Sequence, residues 1–242
     1  RYGTVTGVQT CALPILVIYA LITIAIFGMW YYAGYEGDFL PAPKKTFNPM
    51  MLAAIVVLVP GTQFAANFIA SLTGYIRPDW LQQYNELFET SGITDTTFVT
   101  VLYSVILAPI CEELIFRGVT MRCARKALPF ALANLMQAAL FGLFHLNWIQ
   151  GIYAFALGIV LGYVCERGGS IYYSIGLHLL FNLWGTLSGF FPDPGNSVVI
   201  FVIVIAVTIV SLVTGFVLFN KGRRKRIVNQ SLPEHPINST GI

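Results

Sequence analysis

The chain has 242 residues, of which 56% are hydrophobic and only 10% charged, with a formal net charge of +3. A soluble domain with a polar coat is excluded by that balance, and so is a nucleic-acid-binding or disordered chain, both of which need far more charge. Apolar runs recur at the length that crosses a hydrocarbon core, about 20 helical residues. The composition therefore predicts an all-α, polytopic transmembrane bundle, since lipid offers the backbone no hydrogen-bond partners and no barrel-like alternation is present.

Seven spans are expected, over Leu13–Ala33, Pro49–Tyr75, Thr97–Met121, Leu128–Leu146, Trp148–Cys165, Ile171–Phe191 and Ser197–Asn220. The stretch before the first, "TVTGVQTCALPI", resembles translated sequencing adapter. Residues 1–15 are accordingly set apart as non-native, and an eighth span is expected in the intact protein. Residues 16–220 form one helical domain. Residues 221–242 form a tail, basic at first and disordered after Ile227; "NST" at Asn238 is a chance glycosylation match there. Pro60 and Gly61 predict a kink in the second span. Between the second and third spans, Trp80, Leu81, Tyr84, Leu87 and Phe88 fall on one helical face, as expected of a helix lying along the interface.

Short loops rich in Lys and Arg stay cytoplasmic. One set of alternate connections holds Lys44, Lys45, Arg122, Arg125, Lys126, Arg167, Lys221, Arg223, Arg224, Lys225 and Arg226, against Arg1 and Arg77 in the other. The C-terminus is expected in the cytoplasm, in the inner membrane of a bacterium, with membrane lipids as surroundings. Cys11, Cys111, Cys123 and Cys165 show no CxxC spacing and are expected in bystander or core roles.

The third span carries "ICEELIFRG", residues 110–118. Pro109 cannot donate to the carbonyl of Val105, so the helix is expected to be irregular there. Glu113 and Arg117 are four apart and can pair, whereas Glu112 points about 100° away and is expected to be free. A salt-bridged strut would explain the pair but not Glu112, because an unpaired carboxylate costs of order 2.5 to 3.5 kcal/mol at bilayer depth. Two further spans hold polar pairs at the same spacing: Phe141 with His145 in "FGLFH", and His178 with Asn182 in "HLLFN". A carboxylate can take a proton from water, an imidazole can share that work or bind a metal, and an amide can donate to an oxyanion. The set suits acyl-bond hydrolysis, while serine, cysteine and HExxH signatures are missing.

These three segments resemble, in order, the EExxxR, FxxxH and HxxxN/D motifs of the CPBP (Abi) family of intramembrane proteases, which includes type II CAAX prenyl endopeptidases and bacteriocin-processing or self-immunity proteins. The resemblance spans about 75 residues, from Glu112 to Asn182. It implies that Glu112 and His145 activate water, that His178 and Asn182 stabilise the oxyanion, and that Glu113 and Arg117 hold the geometry. If zinc is bound, Glu112, His145 and His178 are its ligands; glutamate-type and metal-dependent chemistry both remain open. A peptide or lipidated protein is the implied substrate, with no nucleic-acid partner.

By helical rise His145 would lie about 25 Å across the bilayer and His178 about 10 Å. A shared site requires the two within about 12 Å, so the fourth helix is expected to start outside the bilayer or "LNWIQG" to dip inward. The rival readings are a proton-coupled transporter and an inactive scaffold; no inverted repeat supports the first. Ala154, Gly158 and Gly162 read as close helix packing, and Gly168 with Gly169 as a turn.

Overall fold

A computed structural model describes residues 5–33, 47–91, 97–188 and 197–231. Within them the chain is helical: α1 (Val5–Ala33), α2 (Pro49–Ile76), α3 (Pro78–Ser91), α4 (Phe98–Arg125), α5 (Phe130–Phe144), α6 (Trp148–Gly168), α7 (Ile171–Ser188) and α8 (Val198–Ser231). Residues 1–4, the connection holding Lys44 and Lys45, and the tail from 232 with Asn238 lie outside the described residues.

Each of the seven apolar runs forms a helix, but five are long and apolar enough to cross a membrane: Pro14–Ala33, Pro49–Ile76, Phe98–Arg125, Trp148–Gly168 and Val198–Arg224. Among the described residues these five are the candidate spans, and the expected count of seven or eight is not confirmed. α5 is only 15 residues, about 22 Å at helical rise. α7 is long enough, at 18 residues, yet its Ser174, His178 and Asn182 dilute its apolarity. The chain is an integral membrane protein of helices, with apolar side chains such as Val202, Ile209 and Val213 more than half exposed along α8.

α2 and α8 pack at close range, and the sequence explains why. Pro60 lacks an N–H, and at Gly61 the ladder opens: the Ser211 hydroxyl donates to the Val57 carbonyl and accepts from the Gly61 N–H at 2.9 Å. A hydroxyl from α8 thus bridges two backbone groups of α2, which stays one α-helix from Pro49 to Ile76. Asn48 caps α2 by accepting from the Met50 and Met51 N–H groups, and its amide donates to the Gly222 carbonyl.

α5 and α6 form a tight antiparallel pair on small residues. A methyl at Gly158 would meet Ala138 Cα at 3.1 Å, and one at Gly142 would fall 2.5 Å from the Gly151 carbonyl. α7 packs against α2, α4 and α6, and α1 lies against α4. The main core joins Met51, Leu58, Phe141, Leu161, Leu177 and Phe219. Gly169 ends α6 in the left-handed conformation, φ 63°, as the expected turn requires. α3 is the amphipathic helix foreseen in the sequence; its Trp80 stacks on Trp148 of α6 with centroids 5.3 Å apart. Cys111 and Cys165 are buried and Cys123 exposed, all three as free thiols.

Candidate active site

Pro109 does make α4 irregular, and the irregularity takes a definite form. Leu102–Leu107 and Leu114–Met121 are wound as π-helix, on either side of the α-helical Ala108–Glu113. In the first wide stretch the Ala108 N–H bonds Tyr103 rather than Ser104. Pro109, the residue next in register, has no N–H to offer. The Ser104 carbonyl is left without a helical donor, and the Asn182 amide of α7 supplies one at 2.8 Å. π-helical segments occur frequently at functional sites.

The second wide stretch carries Arg117. Its guanidinium bonds Glu113 Oε1 at 2.8 Å, as the four-residue spacing predicts, and both side chains are fully buried. The same guanidinium donates to the Gly158 carbonyl at 3.3 Å and lies 4.5 Å over the Phe141 ring. Glu113 Oε1 also accepts from His178 Nδ1 at 2.9 Å. A carboxylate on Nδ1 fixes the tautomer and turns Nε2 toward the neighbouring group. That group is Glu112, whose Oε2 lies 3.6 Å from Nε2. The spacing alone left Glu112 free, and the structure corrects this: the chain reversal that seats α7 beside α4 gives it a histidine. Its side chain keeps 17% of its surface accessible, against none for Glu113.

His145 stands at the C-terminal end of α5, half-buried, with Nδ1 2.8 Å from the Phe141 carbonyl. Because a carbonyl only accepts, Nδ1 carries the proton and Nε2 is left as the basic nitrogen. Leu146 follows with φ 53°, a left-handed conformation that is strained for a side chain of this kind. Asn147 then caps α6 by accepting from the Gln150 N–H.

The two histidines meet on Phe141. Its ring centroid lies 4.9 Å from that of His145 and 5.7 Å from that of His178, edge to face in both cases. The imidazole centroids are therefore no more than 10.6 Å apart, the sum of the two. That separation is within the limit a shared site requires.

Gln137 and Asn134 were missed in the sequence. Gln137 is fully buried and donates to the Gly158 carbonyl at 2.8 Å, the same atom that Arg117 reaches, and to Asn134 Oδ1 at 2.7 Å. Asn134 in turn donates to the Ile159 carbonyl at 3.0 Å. Their spacing of three, on the helix that carries His145, was the available signal.

Among the described residues no three His, Cys, Asp or Glu side chains converge as a metal-binding group. The donor set as it stands pairs Glu112 with His178 while His145 sits across Phe141.

Helices of a membrane bundle thus bring Glu112, Glu113, Arg117 and His178 together, with His145 across the Phe141 ring. Residues 94–184 match the family described as type II CAAX prenyl endopeptidase Rce1-like. That segment contains all three motifs and is consistent with the CPBP/CAAX-protease family, a family of proteases. Comparison with curated proteins and with solved structures returned no match.

Proposed function

We propose that the chain is an intramembrane endopeptidase in which Glu112 is the base that activates water. The observation that carries this is the split fate of two adjacent carboxylates: Glu113 is fully buried on Arg117 and His178, whereas Glu112 keeps an accessible face beside His178 Nε2. A base must reach water and its substrate; a buried, doubly bonded carboxylate does neither.

In this reading water is held between Glu112 and His145 Nε2 as it attacks the scissile carbonyl. Glu112 accepts the water proton. His178 Nε2, 3.6 Å away, takes a share of that proton and becomes an N–H donor toward the oxyanion, assisted by the Asn182 amide. Return of the proton to the leaving amine completes hydrolysis. Glu113 and Arg117 hold His178 in register. The family-level substrate is a peptide or prenylated protein; orientation with the C-terminus in the cytoplasm is supported by the distribution of basic residues.

The test is incubation of the purified protein in liposomes with a mixture of apolar and farnesylated peptides, products read by mass spectrometry. Cleavage by the wild type that Glu112→Ala abolishes is expected. Cleavage undiminished in Glu112→Ala removes the base from this position. Repetition with a chelator decides between glutamate-type and metal-dependent chemistry, for which Glu112, His145 and His178 are the zinc ligands to test.

A further inference from the structure

A second feature lies away from these residues. Between α5, α6 and α8 runs an apolar groove of about 540 Å³, floored by Phe130, Ile159, Tyr163 and Phe216, with the exposed Ala131 at its edge. None of Glu112, Glu113, Arg117, His145, His178 or Asn182 lines it. One end is aromatic and capped by a cation: Arg167, exposed, lies 5.9 Å from the centroid of Phe130 and 5.8 Å from that of Tyr163.

That end is also where positive charge gathers. The Tyr163 hydroxyl donates to Asn220 at 2.9 Å, which brings the mouth of the groove to the start of the run holding Lys221, Arg223 and Arg224. Arg125 is close by through its 3.1 Å bond to Glu166. Glu166, the acid of this group, is thereby already paired. An apolar slot of this volume, ending in an exposed guanidinium and a basic helix end, is complementary to a two-part ligand with one greasy and one anionic half. Basic clusters next to a span recruit anionic headgroups, and a guanidinium fork matches phosphate.

We propose that this groove binds an anionic phospholipid, one acyl chain lying along Ile159 and Phe216 and the phosphate on Arg167. The lipid is held by residues outside the proposed active site, so the assignment stands or falls independently of the peptidase reading.

The experiment is lipid retention by native mass spectrometry of the full chain, released from nanodiscs of mixed phosphatidylglycerol and phosphatidylcholine. Wild type should retain phosphatidylglycerol preferentially. Arg167→Gln should lower that preference about fivefold, the worth of one surface cation, and Ala131→Trp, which fills the groove from an exposed position, should release both lipids. Both variants should elute as monodisperse protein with unchanged melting temperature. Equal retention of the two lipids by wild type, or a phosphatidylglycerol preference that survives both substitutions, overturns the proposal. Displacement of the lipid by a farnesylated peptide would also overturn it, by giving the groove to the substrate.

Discussion

His178 on α7 bonds Glu113 on α4 through Nδ1 at 2.9 Å, with Glu113 fully buried and His178 keeping 3% of its side chain accessible. This contact, made across 65 residues of sequence, decides which of two neighbouring glutamates is structural. Glu113 serves Arg117 and His178 at once and so cannot be replaced without stranding both.

Glu113→Gln should therefore act first on stability. Removing one partner of a buried ion pair leaves an uncompensated charge on Arg117, a loss of about 3–5 kcal/mol. Unfolding in detergent, followed by tryptophan fluorescence, should show this. A variant as stable as wild type would mean that Arg117 is not paired as described.

Asn182 offers a sharper test because its partner is a defect in the backbone. Asn182→Leu should cost about 1 kcal/mol, the low end of the penalty for an acceptor left without a donor, because the Ser104 carbonyl is partly buried. Pro109→Ala restores an N–H in the wide register that can serve Ser104. The double variant should then lose less than the two single losses combined, and a double-mutant cycle measures the coupling. Additive losses would contradict the arrangement at Ser104.

The α5–α6 contact has no slack. A methyl at Gly162 would fall 1.9 Å from Asn134 Oδ1 and crowd Gln137 as well. Gly162→Ala should destabilise by about 1–3 kcal/mol, as overpacking does. Gln137→Leu, of similar volume, takes the donor from Gly158 and Asn134 and should lower the melting temperature. Since Gln137 touches Arg117 only through the Gly158 carbonyl, its effect on turnover should be small beside that of Glu112. Peptide cleavage measured alongside thermal unfolding separates the two.

Much of this bundle is legible in the amino-acid sequence itself. The apolar runs become helices because lipid leaves the backbone no alternative, and Glu113 with Arg117 pair because four residues place them on one face. The amphipathic α3 follows from the spacing of Trp80, Leu81 and Tyr84. Other features depend on contacts between distant segments. That Glu112 acquires His178 depends on how α7 is seated, which no local pattern encodes. The first π-helical stretch of α4 goes with Pro109 and with an amide 78 residues away. The break between α5 and α6 falls where the span boundaries at Leu146 and Trp148 put it, Asn147 being a residue type that starts helices, whereas nothing local marks the left-handed backbone of Leu146. Gln137, surrounded by alanine and leucine, gives no sign of its partners because they include a backbone carbonyl on another helix.

The most direct measurement is kcat/KM for a farnesylated peptide with wild type and Glu112→Gln, both reconstituted and both checked for melting temperature. Glu112 is partly accessible and its contact with His178 Nε2 is a long one at 3.6 Å, so the amide should leave the fold intact. A base of this kind contributes about 10²–10⁴ in rate, and a fall of that size with unchanged stability is the predicted result. Wild-type cleavage rates in a folded Glu112→Gln would contradict the account, because the proton of the attacking water would then have gone elsewhere.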